Sequence, residues 1–315
     1  MTNIKNKKAF SLIELSIVIL IIGIIIAGIT QSSRLVRQFK LSSARSQTQS
    51  SPVASIKDLG AWFEATLEDS FIETQVEDSA LAGGTTIGTG KINTWYDINP
   101  SSSIKRTATG GVAAILPNYY ANCINGLPCL RFDGSASTLS FDGTFLAGTD
   151  YTIFVVEQRR SAAANYFIGR GGTPSANDLL EFGYDGDTTL RFSHGDNATN
   201  YYQVGPASPV ISNYVAPAPR VHTFVNATIA ASATPFAHYL NGRSTASTLT
   251  NVGNPSLSTL ASYSLATIGS STTGSSTTYF TGDLGEIIFF TRALKNEERA
   301  AVEDYLLKKW GIASL

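Results

Sequence analysis

Residues 15–30 constrain this chain more than any other segment. They are Ile, Val, Leu, Ala and Gly, with Ser16 the one polar residue before Thr30, and no charge stands between Glu14 and Arg34. A helix from Phe10 to about Gln31 would be about 33 Å long, enough to cross a hydrocarbon core of about 30 Å. A secretory signal peptide has a shorter apolar core, about 7–15 residues, ended by a small-residue cleavage site. Here the run is longer and no such site follows it. A plain membrane anchor leaves Glu14 unexplained, because a carboxylate at the head of an apolar span is costly and marks function by default.

Lys5, Lys7 and Lys8 precede the span and Arg34, Arg37, Lys40 and Arg45 follow it. The positive-inside count therefore does not orient it. Leu35, Val36, Phe39 and Ala44 keep helical spacing, so the helix is expected to continue to about Ser46. The polar stretch Ser46-Gln47-Thr48-Gln49-Ser50-Ser51-Pro52 ends in a helix breaker and reads as a junction.

Beyond it the character changes. Residues 55–315 carry 16 basic and 23 acidic side chains, a net charge of −7. That argues against a nucleic-acid partner, which needs Lys and Arg to displace counterions. Strand patterns recur. Residues 151–157 are β-branched and aromatic, residues 189–194 alternate polar with apolar, and residues 236–243 run into an Asn241-Gly242 turn. Residues 285–290 form a further strand. Many short strands with Gly, Asn and Asp turns point to a sandwich or jelly roll. One helix closes the chain, with Asn296 as its cap, Glu297 and Glu298 at its positive end, Lys308 and Lys309 at its other end, and Gly311 to stop it. Val302, Tyr305, Leu306 and Trp310 share one face, which should pack on the sandwich. Cys123 and Cys129 flank an Asn125-Gly126 turn that can fold the two thiols together, so a disulfide is expected over two reduced thiols. Two thiols with no His near them leave zinc short of ligands.

The run Lys7-Lys8-Ala9-Phe10-Ser11-Leu12-Ile13-Glu14 resembles the type IV prepilin cleavage motif, although that family usually has Gly where Ala9 stands. The resemblance implies a leader over 1–9, cut by a membrane peptidase between Ala9 and Phe10, with methylation of the new Phe10 amine. It also implies that Glu14 meets that amine on a neighbouring subunit, since a buried charge is tolerable only when paired. A transmembrane and stalk helix over 10–51 and a head over 52–315 would follow. The peptidase acts on the cytoplasmic face, which places the head outside: inner membrane as precursor, then an extracellular filament on the bacterial surface. The implied partners are copies of this chain or other pilins and the peptidase.

The head resembles the laminin G-like, concanavalin A-like lectin sandwich. The stretches that carry this are Leu59-Gly-Ala-Trp62-Phe-Glu-Ala, Asn93-Thr-Trp95-Tyr-Asp97, Asn125-Gly-Leu-Pro-Cys-Leu-Arg-Phe132-Asp133-Gly134, Tyr239-Leu-Asn241-Gly242-Arg, Gly282-Asp-Leu-Gly-Glu286-Ile-Ile-Phe-Phe-Thr-Arg-Ala-Leu294 and Lys309-Trp310-Gly311. The loop Ile98-Asn99-Pro100-Ser101 departs from the family pattern. The overall expectation is an α+β chain: a long N-terminal helix, a mainly antiparallel β-sandwich and a short C-terminal helix.

Chemistry-bearing motifs are sparse. His194, His222 and His238 sit in strand-like runs, read as structural or surface positions. No Gly-x-Ser-x-Gly elbow, His-Glu-x-x-His pair or phosphate loop occurs. A retaining glycosidase needs two carboxyl groups about 5–5.5 Å apart, and no Glu-x-Asp-x-x-Glu run supplies them. Asp185, Asp187, Asp196 and Asn197 offer calcium-type oxygens but are read first as turn residues, since calcium takes about 6–8 ligands. No cofactor is expected. The expected function is a pilin or minor pilin whose head binds glycan or protein. The rivals are a pseudopilin of a secretion apparatus and a membrane-tethered glycan-active enzyme.

Overall fold

The computed structural model describes residues 12–72, 90–171, 179–187, 189–195, 201–204, 218–227, 236–245, 249–252, 265–273 and 276–315. The chain divides at Ser43/Ala44 into two compact units. Helix α1 (Leu12–Gln49) makes up the first and enters the second with its last turns. It runs three residues past the expected end at Ser46. The physical reason is packing: Ala44 and Thr48 are buried in the second unit, and Ser50 N–H still closes on the Ser46 carbonyl at 3.0 Å.

The second unit is a β-sandwich. Its strands are β1 (Leu59–Glu64), β2 (Thr94–Trp95), β3 (Ala108–Thr109), β4 (Asn118–Ile124), β5 (Leu127–Asp133), β6 (Leu139–Phe141), β7 (Tyr151–Arg159), β8 (Asn165–Arg170), β9 (Leu179–Tyr184), β10 (Leu190–Gly195), β11 (Tyr201–Val204), β12 (Arg220–Asn226), β13 (Phe236–Leu240), β14 (Arg243–Ser244), β15 (Leu249–Val252), β16 (Ala266–Ile268), β17 (Ser270–Thr273), β18 (Ser276–Tyr279) and β19 (Thr281–Phe290); helix α2 (Asn296–Trp310) closes the chain. One large sheet has the order β14-β13-β12-β7-β19-β5-β4, with β1 also on β19; the second has β15-β11-β10-β9-β8-β16-β6-β3-β2; β17 and β18 pair as a separate two-stranded sheet. Every described pairing between these strands is antiparallel.

The long strand β19 organises the first sheet. From Gly282 to Phe290 one edge pairs with β7, while its other edge pairs with β5 through Leu284 and with β1 from Glu286 onward. A bulge between Leu284 and Glu286 separates the two halves. One inserted residue changes which side chains face the core. Leu284 therefore points inward with Ile287 and Phe289, while Ile288 and Phe290 line the outer face. The bulge residue is Gly285, where a Cβ would lie 2.5 Å from the Trp310 ring.

Two apolar clusters result. Between the sheets lie Phe63, Trp95, Phe132, Phe141, Tyr151, Phe167, Phe182, Phe192, Phe224 and Phe289. Outside the first sheet, Trp62, Phe154, Val156, Ile288 and Phe290 pack under Val302, Tyr305, Leu306 and Trp310 of α2, the face expected from spacing. The expected cap is corrected by one residue. Asn296 is the first helical residue, and the Lys295 N–H at the cap position donates to Glu298 Oε2 at 3.0 Å. Glu298 is also gripped by both Arg292 nitrogens at 2.7 and 2.8 Å, which hold its carboxyl down to about 2. Gly311 ends the helix at φ 61°, as expected.

Under α2 lies a buried ionic cluster. Lys309 Nζ reaches Glu64 Oε1 at 2.5 Å and Glu286 Oε2 at 2.8 Å, with all three side chains fully buried. Glu286 also accepts from the Trp62 and Trp310 indole N–H groups at 2.8 and 2.9 Å and from the Tyr305 hydroxyl at 2.8 Å. Burial and the charge of Glu286 push the Tyr305 hydroxyl well above its ordinary value. Glu64 accepts from Thr66 N and Leu67 N at 2.8 Å each and from the Thr66 hydroxyl.

A second buried chain runs inside the sandwich. Tyr184 donates to Glu157 at 2.7 Å, His222 Nε2 lies 3.1 Å from the same oxygen, and His222 Nδ1 lies 3.1 Å from His238 Nε2. His238 Nδ1 meets the Thr245 hydroxyl at 2.8 Å. These two histidines are thus interior rather than surface residues; the His194 side chain lies outside the described residues. Burial lowers His222, and burial with the neighbouring His222 lowers His238 well below the ordinary imidazole value. Burial is the largest influence on the Glu157 carboxyl and raises it, but His222, Arg220 and the Tyr184 hydroxyl together outweigh it and leave the group below its ordinary value.

A histidine kept neutral by the fold binds fewer protons than its unfolded counterpart once pH drops below about 6.5, so stability is present above that pH and lost beneath it. Urea unfolding of residues 44–315 should show about 1–3 kcal/mol less stability at pH 5.5 than at pH 7.5. Equal stability at the two pH values would contradict neutral His222 and His238.

Candidate functional site: the apolar helix and a cleft in the head

Leu, Ile and Ala favour helix once tertiary contacts allow it. In α1, Leu12, Leu15, Ile19, Leu20, Ile24 and Ile26 are all at least half exposed, Leu12 at 87%. A contiguous apolar surface of this kind marks an interaction site in a chain that is otherwise polar outside. Glu14 stands in the first turn, exposed, with the Ser16 hydroxyl donating to the Ile13 carbonyl at 2.8 Å beside it. Ala9 and Phe10 lie outside the described residues, as do the side chains of residues 29–31. Among the described residues, no helix is long and apolar enough to cross a membrane. The crossing expected over residues 10–31 extends past the described side chains at both ends.

Cys123 and Cys129 are bonded to each other, with Cα atoms 5.7 Å apart. The turn between β4 and β5 makes this possible: Asn125 and Gly126 take φ values of 50° and 88°, the left-handed pair that a two-residue hairpin requires. Nearby, buried Asp283 accepts from Arg131 Nε at 2.6 Å and Arg160 Nε at 2.7 Å.

A cleft of about 830 Å³ opens in the head, lined by Arg45, Thr66, Glu68, Asp69, Phe71, Tyr96 and Tyr119. A second, of about 680 Å³, shares Leu67, Asp69 and Tyr96 with it and adds Trp62, Asp97, Ile98 and Lys105. These volumes suit a small organic ligand. Tyr96 is 38% exposed and stands between the two. It is held there by its N–H to the Ser70 carbonyl at 2.9 Å. Asp97 is not available to a ligand, because its carboxylate accepts from the backbone N–H groups of Trp62, Asn99 and Arg106 at 2.9–3.0 Å. Glu68 is paired with Arg45 at 2.6 Å. The arrangement offers aromatic faces beside hydroxyl and carboxylate acceptors, the chemistry that suits a polyol.

The aspartates weighed as calcium oxygens have other partners. Asp185 is paired with Arg191 at 3.0 Å and accepts from the Tyr166 hydroxyl at 3.1 Å, and Asp187 is 3.4 Å from Arg159. Asp196 and Asn197 lie outside the described residues. Sequence reasoning missed the Lys309–Glu64–Glu286 cluster. Each of its members stands in a stretch that carried the lectin-like resemblance, yet only the fold brings residues 64, 286 and 309 together.

Comparison with known families matches residues 133–298 to the concanavalin A-like lectin/glucanases superfamily and residues 4–30 to the prokaryotic N-terminal methylation motif. No curated protein matches. Among solved structures, domain 4 of AbnA, a GH43 extracellular arabinanase from Geobacillus stearothermophilus, in complex with arabinotriose, is 14% identical over 62% of this chain and 82% of that one, with a TM-score of 0.43. Trypanosoma rangeli sialidase in complex with sialic acid is 14% identical over 80% of this chain and 33% of its own, with a TM-score of 0.47. The chain thus spans about a third of that sialidase.

The short Cys123–Cys129 loop has a definite expected worth. Replacing both cysteines by serine should cost the head about 2–3 kcal/mol by the chain-entropy relation, read from denaturant midpoints. No change in midpoint would remove the disulfide from the account of stability. With its family match covering more than half of its length, the chain belongs to the concanavalin A-like lectin/glucanase superfamily, and it carries the type IV pilin methylation motif ahead of that domain.

Proposed function

We propose that the chain is a pilin-like subunit of an extracellular filament, whose lectin-like head binds a surface glycan through the cleft around Tyr96. The observation that carries the first half is the methylation motif running into a helix whose large apolar side chains are exposed. Such a surface needs cover, first from lipid and then from the helices of neighbouring subunits. Cleavage of leader 1–9 by a prepilin peptidase removes three lysines and leaves a positive amine on Phe10. Glu14, four residues on, supplies the opposite charge for that amine on the next subunit. In an apolar filament core each of these charges is tolerable only with the other, so the pair sets the axial register.

The second half rests on the cleft. Tyr96, Phe71 and Tyr119 give stacking faces, and Asp69 and Thr66 give acceptors. Many copies on one filament turn weak single-site binding into avidity. In a tethered glycan hydrolase, Glu68 and Asp69 would be the cleft's candidate acid pair. The Glu68–Arg45 ion pair favours a positioning role for Glu68, and we assign the head to binding.

Mature protein should begin at N-methylated Phe10, and Glu14→Ala should insert in the membrane yet fail to enter filaments. An intact Met1 on assembled protein, or normal filaments from Glu14→Ala, would contradict the assembly reading. On a glycan array, Tyr96→Ala should weaken head binding about tenfold, equivalent to about 1.4 kcal/mol. Release of reducing sugar that is lost in Asp69→Asn would instead make the head an enzyme.

A further inference from the structure

Asp283 is fully buried on β19, and two cations close on it. Arg131 on β5 donates from Nε and Nη2 at 2.6 and 3.1 Å, and Arg160, just past the end of β7, donates from Nε at 2.7 Å. One carboxylate between two guanidinium groups leaves a surplus positive charge, in a head whose net charge is −7. The strand register fixes where that charge sits. Asn118, Arg131, Asp283 and Gln158 are paired in turn across β4, β5, β19 and β7, so they form one row. Leu130, Phe132 and Leu284 alternate with them and face the interior, so the row lies on the outer face of the first sheet. Arg160 follows Gln158 by two residues and keeps a ladder bond to the Thr281 carbonyl at 2.8 Å, so it extends the same face.

The two arginines are held differently. Arg131 lies over the Tyr120 ring at 4.1 Å and is bound to Asp283 through two nitrogens, which fixes its plane. Arg160 is anchored through Nε alone. Its two terminal nitrogens have no partner among the described residues, and its side chain is 34% exposed. With Nε anchored, the end of the guanidinium is a planar fork of N–H donors, the shape that takes a carboxylate by two parallel hydrogen bonds. Beside it stands the half-buried Gln158 amide, also without a partner among the described residues, with a donor and an acceptor to offer a hydroxyl. Asp133, opposite Thr281 in the next row, does not compete for the fork. Its carboxylate accepts from the N–H groups of Ser135, Ala136 and Ser137 at 3.0–3.1 Å.

We propose that Arg160 and Gln158 form a binding site for an acidic sugar. The sugar carboxylate takes the Arg160 fork, and a hydroxyl of the same ring takes the Gln158 amide. A uronic acid carries both groups. Asp283 and Arg131 are positioning residues: the buried carboxylate aims the Arg160 fork outward, and Arg131 neutralises that carboxylate so that the charge of Arg160 is left for the ligand. The site shares no residue with the Tyr96 cleft.

The test is titration of the full-length protein, in an uncharged detergent, with trigalacturonate and with its methyl ester, which has the same rings and no charge. Wild type should bind the acid about tenfold more tightly than the ester, and the difference should shrink as salt is raised. Arg160→Gln should erase the preference while its thermal melt stays cooperative, because Asp283 keeps Arg131. Arg160→Lys, which retains the charge without the fork, should keep only part of it. Gln158→Ala breaks no ion pair and should weaken acid binding about threefold, so it reads the site even if Arg160→Gln fails to fold. Tyr96→Ala should leave acid binding unchanged. No binding of the acid, acid and ester bound alike, or a preference that survives in folded Arg160→Gln overturns the proposal. A preference lost in Tyr96→Ala also overturns it, by moving the acidic sugar to the cleft.

Discussion

Lys309 is the residue on which the head's construction turns. Its ammonium lies between a carboxylate on the first strand and one on the last, and its own helix is the final element of the chain. Removing one member of a buried ion pair leaves the other uncompensated, at a cost of about 3–5 kcal/mol. The features around it follow from that requirement. The bulge at Gly285 turns Glu286 outward toward α2, and the missing side chain at Gly285 makes room for the Trp310 ring. Trp62, Tyr305 and Trp310 each satisfy their own polar atom on Glu286, so three large rings are buried with no polar atom wasted.

The same cluster explains how α1 ends. Tyr305 reaches the Thr48 hydroxyl at 3.3 Å while donating to Glu286, and Arg45 donates to the Thr66 carbonyl at 2.8 Å, two residues past Glu64. The last turns of α1 are therefore bound into the head by the groups that fix its first strand. Residues 12–26 have a different character, apolar and uncovered. One chain thus presents two surfaces with separate chemical needs: an apolar helix that needs other helices or lipid, and a sandwich whose polar exterior and aromatic cleft suit a soluble ligand.

Much of this was legible in the sequence because local chemistry decides it. Asn125-Gly126 and Asn241-Gly242 adopt the positive φ values that their turns demand, and Gly311 stops its helix. The period of Val302, Tyr305, Leu306 and Trp310 identified the face that packs. Other features were hidden because they depend on register between distant strands. Period-two alternation places Glu286 correctly only once the bulge beside it is known. His222 and His238 looked like surface or structural strand residues, and only the pairing of β12 with β7 and β13 lines them up with Glu157. The polar residues 46–49 read as a junction, but helix packing around Ala44 and Thr48 overrides that local signal. The cleft was equally hidden: Asp69 and Tyr96 are far from Tyr119 in sequence, and only the fold brings them to one cleft.

The central claim is that this lectin-like head is carried on a filament. The most direct measurement is proteomics of filaments sheared from intact cells and purified by density, compared with the membrane fraction. The account predicts that peptides from the head co-purify with the filaments in fixed proportion to the other filament subunits. Peptides confined to the membrane fraction, with none in filaments that are otherwise intact, would contradict it.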